Sequence, residues 1–256
     1  MTTPAAPPTL RNMDLEEHLN DPSKKQHYVT TMFDIIAPKY DWFTRAFSFG
    51  MDSAWKKELL GHVKDKVKPD GNCIDLASGT GDLSVAVSKI VPQGRETGID
   101  ISPEMVKIAK ARIEKDGVPN VTFQVGDMTA IDLPDASVDL VTIGYGLRNV
   151  PDFKAALRQI ARVLKPGGIL ANLDFARPRN GLWRFMYLTY LTITGNIAGW
   201  WMHGEGAVYG YISRSIAKFV TWQDLSKAME ECGLEVLVTS PKLLGGVCLH
   251  VARRKA

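Results

Sequence analysis

From Tyr28 to Leu60, "YVTTMFDIIAPKYDWFTRAFSFGMDSAWKKELL" repeats aromatic and aliphatic residues three and four positions apart, the spacing of helices with one buried face. Pro38 and Gly50 break the pattern, so residues 26–69 are expected to form several helices rather than one. Beyond residue 70 short apolar runs alternate with longer amphipathic ones. "NCIDLA", "RETGIDI", "NVTFQV", "VDLVTIGYG" and "GILANLDFA" read as strands, with "DLSVAVSKI", "SPEMVKIAKARIEKDG" and "DFKAALRQIARVLK" as helices between them. Ser102 as N-cap, Pro103 in the first turn and Gly117 after the last give the middle helix physical limits. Such alternation predicts an α/β fold built on a doubly wound, mostly parallel sheet. Near the end come a helix in "TWQDLSKAMEECG" and strands in "LEVLVTSP" and "GVCLHVARR".

The divisions expected are a disordered leader (1–25), a helical cap (26–69), a core (70–180), an apolar helical lid (181–215) and a closing helix with two strands (216–256). The leader's "MTTPAAPPTLRN" has prolines where a signal peptide would carry an apolar run. Residues 182–202, "LWRFMYLTYLTITGNIAGWWM", could span a bilayer by length and hold Arg184 as their one charge. A single crossing there would separate the last two strands from the sheet they are expected to join. The segment is therefore read as a cover for the sheet, a lid over an apolar cleft or a surface touching the membrane interface.

Composition narrows the picture. With 256 residues and 45% hydrophobic content the chain can bury one large core. Its 31 basic and 28 acidic residues give a net charge of +3 without a long basic run, which does not suggest a nucleic-acid surface. The basic tail "ARRKA" reads as a solvated end. Cys73, Cys232 and Cys248 lie far apart, favouring neither a disulfide framework nor a metal site, and a reducing cytoplasmic setting is expected.

In an open parallel sheet, ligands sit beyond the carboxyl ends of the strands, so the loops after the strands are where chemistry is sought. Gly79 and Gly81 after the first strand let the backbone approach a ligand, although Ser84 leaves a dinucleotide fingerprint incomplete. Asp100 after the second strand is placed to accept ribose hydroxyls, or to cap the helix that opens at Ser102. Asp127 and Met128 after the third suit an adenine amine and face, though Asp127 could also close a turn. "GYGLRN", residues 144–149, follows the fourth strand and faces the same cleft.

"DLASGTGD", "GIDIS", "GDM", "GLRNVPDFKAALRQIARVLKPGG" and "FDIIAPKYD...SFGMDSAWKKEL" closely resemble the class I S-adenosylmethionine-dependent methyltransferases, specifically the ubiquinone/menaquinone biosynthesis C-methyltransferase family. The resemblance covers residues 29–253. It implies a Rossmann-like seven-stranded sheet with an antiparallel last strand and S-adenosyl-L-methionine as cofactor. It further implies contacts from the D-x-x-x-G-x-G loop (Asp75, Ser78, Gly79, Thr80, Gly81), from Asp100 and Ile101, from Asp127 and Met128, and from Gly144. Tyr40 in "APKYD" closes over the cofactor on this reading; as a core anchor it would serve packing instead. The chain departs from the family at Thr44 (commonly Asn), at Gly144 (Ser or Ala), at Ile212 and Ser213 (Leu-Pro) and through residues 200–211, "WWMHGEGAVYGY".

The expected reaction is methylation of a ring carbon in a prenylated quinol. A phenol of pKa ~10 held as phenolate near pH 7 needs roughly 3 units, about 4 kcal/mol, of stabilisation. Arg148 stays protonated and is the expected donor of it; a water, His203 or Asp174 would take the proton. His203 as a plain surface imidazole and Asn149 either as a support for Arg148 or as a cap for the next helix remain open. The expected protein visits the membrane surface for its acceptor, and self-association or a quinone-synthesis complex is open. Methylation of a prenyl diphosphate or another lipid is the alternative, and a non-catalytic scaffold subunit the reading from another class.

Overall fold

The structure is a computed structural model that describes residues 10, 13, 15–48, 50–203 and 207–256. Strands β1 (Asn72–Leu76), β2 (Arg95–Asp100), β3 (Val121–Val125), β4 (Val138–Gly144), β5 (Leu164–Phe175), β6 (Leu234–Lys242) and β7 (Val247–Arg254) form one sheet in the order β3-β2-β1-β4-β5-β7-β6. Pairings from β3 to β5 are parallel, and β7 runs antiparallel to both its neighbours. The order reverses between β1 and β4. That reversal opens a crevice at the carboxyl ends of these two strands.

Both faces of the sheet are apolar, as buried parallel strands require. Cys73 belongs to the layer holding Leu59, Val87 and Leu140, whereas Ile74 and Leu76 belong to the opposite layer with Leu157 and Ile160. Helices α1 (Leu15–Asn20), α2 (Pro22–Ile36), α3 (Tyr40–Phe47) and α4 (Met51–Gly61) precede the sheet, and α5 (Asp82–Ser88), α6 (Pro103–Asp116) and α7 (Phe153–Val163) connect its strands. Pro38 sits in a 3-10 turn between α2 and α3, and Gly50, with φ +76, initiates α4. Then follow α8 (Gly181–His203), α9 (Ala207–Lys218) and α10 (Trp222–Glu231).

Several expected boundaries move. Part of the leader lies outside the described residues, but α1 and the start of α2 fall inside 1–25, where Asp21 caps α2 by accepting from the Ser23 amide and Leu15 is buried with Tyr28 and Met32. An apolar anchor every few residues was too sparse for periodicity to register. Helix α7 ends two residues early because Leu164 pairs with Val138 and starts β5 ahead of the Pro-Gly-Gly turn. The basic tail is solvated at Arg253 and Lys255, which pair with Glu235 and Glu230, but Ala252 is buried in β7 and Arg254 donates to the Leu164 carbonyl. The apolar segment is one 23-residue helix, α8, and the layer it forms with α9 runs to Lys218. Among the described residues no helix is long and apolar enough to cross a membrane.

Candidate active site

Four loops at the strand ends converge. Asp100, closing β2, accepts from the Gly79 amide (2.7 Å) and the Ser102 amide (2.9 Å), which ties the β1 loop to the start of α6. Ser102 caps α6 through the Met105 amide and donates its hydroxyl to Asp34 of α2 at 2.5 Å. Asp100 thus supports the start of α6, and it also lines the groove. Burial pushes its carboxyl up to about 6, with Asp34 adding to the shift and the amide donors opposing it.

Asp127 divides its oxygens. Oδ1 closes the local turn with the Thr129 amide and hydroxyl, and Oδ2 accepts from Gln26 of α2 at 2.8 Å. The neighbouring Lys25 donates to the Arg148 and Val150 carbonyls, so α2 is strapped across the strand ends by polar contacts. Burial and the nearby Arg148 and Lys218 lower the Lys25 pKa to about 8. Under α2 runs a groove of about 660 Å³ whose lining includes Gly79, Asp100, Ile101, Asp127, Met128 and Gly144.

The backbone is strained where the β1 and β4 loops face one another. Ala77 (φ 53) and Tyr145 (φ 63) are left-handed without being glycine, a costly state concentrated at functional sites. A Cβ on Gly146 would lie 2.4 Å from that of Ala77, so this glycine lets the loops meet. Gly81 (φ +83) has Phe123 where a Cβ would go, at 2.5 Å. Asp75 spends both carboxylate oxygens on Ser84 (2.7 Å) and Thr142 (2.8 Å), holding the start of α5 to β4. Ser84, the position that spoils the dinucleotide fingerprint, is thus a buried partner for the loop's acid.

Past the glycines the groove turns polar. Thr80 donates to Asp41, and Lys56 of α4 lies between Asp52 (2.9 Å) and Asp82 (3.0 Å). These two carboxylates raise the Lys56 pKa against the opposing effect of burial. Ser78 is buried with its hydroxyl unpartnered, and it lines this end together with Asp75 and Thr80.

On the other side of Tyr40 and Tyr145 lies an apolar cavity with about 1140 Å³ of empty space, walled among others by Phe33, Ile36, Trp183, Tyr187 and Leu191. Tyr40 and Tyr145 line this cavity and both parts of the groove. Burial raises the Tyr40 phenol, and burial with the Asp52 charge raises that of Tyr145, so both stay neutral donors. Arg148, 6% exposed, forms the polar spot on the cavity wall. Its Nη1 donates to Asp174 (3.0 Å) and to the Tyr145 carbonyl (2.6 Å), its guanidinium lies 4.8 Å from the Phe175 ring centre, and its buried Nε has no partner.

The expected residues thus fall into two compartments. Those attributed to the cofactor line the groove, except Gly81, which shapes the turn beside it. Arg148 faces the cavity and Asn149 the groove. Neither role considered for Asn149 is seen: its amide donates to the Tyr145 carbonyl, its oxygen accepts from Tyr211, and Asp152 caps α7. The side chain of His203 lies outside the described residues. Sequence reasoning missed Gln26, Asp52, Lys56 and Tyr145. Tyr145, Asp52 and Lys56 stand inside motifs named above, whereas Gln26 sits on a helix whose docking no local pattern reveals.

Solved structures share this architecture. An S-adenosylmethionine-dependent methyltransferase from Aquifex aeolicus matches with a TM-score of 0.55 at 19% identity, covering 78% of this chain and 89% of that one. Geranyl diphosphate C-methyltransferase from Streptomyces coelicolor gives 0.61 at 14% identity, over 79% of each chain. At such identities the likeness is one of fold. The sheet order and the groove at its switch point are those of the class I methyltransferase fold. Within that class the chain belongs to the ubiE/COQ5 methyltransferase family, whose model matches residues 21–254. Curated relatives named demethylmenaquinone methyltransferase include that of Bacillus cytotoxicus, 31% identical over 89% of this chain and 95% of its own length. Another, from Thermus thermophilus, is 34% identical over 87% and 100%. The residues present fit the cofactor: a buried acid, Asp100, lines one end of the groove, and at the other the buried Asp52 Oδ1 has no hydrogen-bond partner among the described residues.

Proposed function

We infer that the protein methylates a ring carbon of a prenylated quinol, with S-adenosylmethionine as methyl donor. The observation that carries this reading is the apolar cavity meeting the cofactor groove at Tyr40 and Tyr145, with one buried cation on its wall. The names of the curated relatives support the same acceptor class.

S-adenosylmethionine supplies a methyl group already activated on a sulfonium. The protein's part is alignment and the management of charge. Asp100 and Asp127 orient the nucleoside end, and the β1 loop fixes the depth of the groove. Arg148 stabilises the acceptor's oxygen as the phenolic proton leaves. Its Nε and Nη2 are the donors left for that oxygen, because Nη1 is engaged by Asp174 and the Tyr145 carbonyl. Asp174 accepts from the Arg148 side chain and from two backbone amides, at Arg148 and Phe175. It orients the guanidinium and is poorly placed to be the base, a role that falls to water.

The acceptor's tail is delivered along α8. Leu182, Phe185, Ile193, Ile197, Trp200 and Trp201 form an outer stripe, each 55–72% exposed, and Tyr190 belongs both to this face and to the cavity wall. An apolar stripe of this size suits the boundary of a bilayer. The protein then collects its substrate at a membrane surface.

The test is incubation with methyl-labelled S-adenosylmethionine and, in parallel, a demethylated prenylquinol or a prenyl diphosphate. Label in the quinol ring is expected; label in the isoprenoid chain overturns the assignment. A diphosphate gains little from this cavity, whose one lining cation is already paired with Asp174. Co-sedimentation with anionic liposomes is expected to remove the protein from the supernatant, and equal partitioning with and without lipid would refute the membrane step.

A further inference from the structure

Asp52 lies in the first turn of α4, lines the polar end of the groove and is 4% exposed. Its Oδ2 pairs with Lys56 at 2.9 Å, whereas the buried Oδ1 has no hydrogen-bond partner among the described residues, the Tyr145 hydroxyl standing near the carboxylate. The other carboxylates lining this end are engaged. Asp41 takes the Thr80 hydroxyl, Asp75 takes Ser84 and Thr142, and Asp82 takes Lys56 and Arg112. A buried carboxylate oxygen without a donor is costly, so this atom marks where a donor from outside the chain belongs.

The two ends of the groove differ in chemistry. Asp100, Asp127 and Met128 stand at one end, and Asp52, Lys56 and Thr80 at the other, with Ala77, Gly79 and Tyr145 between. A nucleoside whose hydroxyls meet Asp100 extends its amino-acid arm toward Asp52. We propose, resting on the cofactor reading above, that Asp52 Oδ1 is the acceptor for the α-ammonium of S-adenosylmethionine. Lys56 fixes the carboxylate's orientation, and the shared wall of Tyr40 and Tyr145 keeps water from it. A charge-assisted bond in so dry a place is among the stronger polar contacts available.

Calorimetry with three ligands tests this: S-adenosylhomocysteine, its analogue lacking the α-amino group, and 5′-methylthioadenosine, which lacks the whole amino-acid arm. The wild-type protein is expected to bind S-adenosylhomocysteine at least about tenfold tighter than the deamino analogue, as a buried charge-assisted bond implies. Asp52→Asn preserves size and the contact with Lys56. It is expected to erase that preference while changing affinity for the deamino analogue and 5′-methylthioadenosine by less than about threefold. Equal binding of the first two ligands by the wild-type protein overturns the proposal, whatever the variant does. So does a preference that survives in Asp52→Asn, or in Asp52→Ser should the first variant fail to fold. No binding of any of the three by the wild-type protein would instead sink the cofactor reading beneath it.

Discussion

The groove at the strand ends and the apolar cavity share a wall, yet they are made differently. The groove is bounded by strand ends a few residues long, and its acids are held by main-chain amides and neighbouring hydroxyls: Asp100 by Gly79 and Ser102, Asp75 by Ser84 and Thr142. The cavity is bounded by side chains from α2, α3, α4, α8 and α9, apolar apart from Arg148 and a few hydroxyls. A polar ligand that every member of a class uses can be met by fixed backbone geometry. A greasy one demands volume, which is set by how helices lie against each other.

Breaking the buried ion pair on the cavity wall should have the largest effect. Arg148→Ala leaves Asp174 buried without its partner, so a loss of about 3–5 kcal/mol in chemical denaturation is expected together with loss of turnover. Adding Asp174→Ala should restore much of the stability and none of the activity. A double variant that turns over at a normal rate would remove the guanidinium from the mechanism.

A glycine on the cofactor side comes next. Gly81→Ala places a methyl against the Phe123 ring in a left-handed backbone, and a loss of about 2 kcal/mol with weakened S-adenosylhomocysteine binding is expected. Denaturation midpoints and calorimetry on the same samples separate the two effects.

The pH dependence of cofactor binding sharpens the contrast. Asp100 titrates near 6 in the folded protein, above the ordinary carboxylate range, because burial disfavours its charge. Above pH 7 it is ionised, the form in which the proposed contact with two hydroxyls is made; below 6 it protonates and one acceptor is lost. Affinity for S-adenosylhomocysteine is therefore expected to be flat above pH 7 and to fall by up to about tenfold per unit below 6. Asp100→Asn should bind more weakly throughout and lose that slope. A wild-type profile unchanged between pH 5 and 8 would contradict the assignment.

The smallest effect on folding is expected on α8. Ile193→Ser combined with Ile197→Ser, both on the exposed stripe, should change stability by less than about 0.5 kcal/mol while lowering co-sedimentation with vesicles several-fold. Unaltered sedimentation would detach this helix from any membrane role.

Read in one dimension, the chain already displayed its strands, the order of strand and helix, and the loops that carry Gly79, Asp100, Asp127 and Arg148. These features are local: each depends on periodicity, a cap or a turn within about ten residues. Two acids also showed their packing duties locally, Asp100 next to Ser102 and Asp127 next to Thr129. The pairing of Arg148 with Asp174, the strap of Lys25 and Gln26 and the orphaned oxygen of Asp52 were not legible. They join residues separated by 26 to 125 positions, or depend on a donor that is not there.

The sequence by itself determined a parallel α/β sheet with a ligand crevice at its switch point, because alternating apolar runs and glycine turns leave few ways to bury both faces. The tertiary structure alone decided that Tyr40 and Tyr145 stand between two compartments and that Arg148 enters one while Asn149 enters the other. Adjacent residues in a 3-10 turn point in different directions, and where those directions lead depends on the helices packed above them.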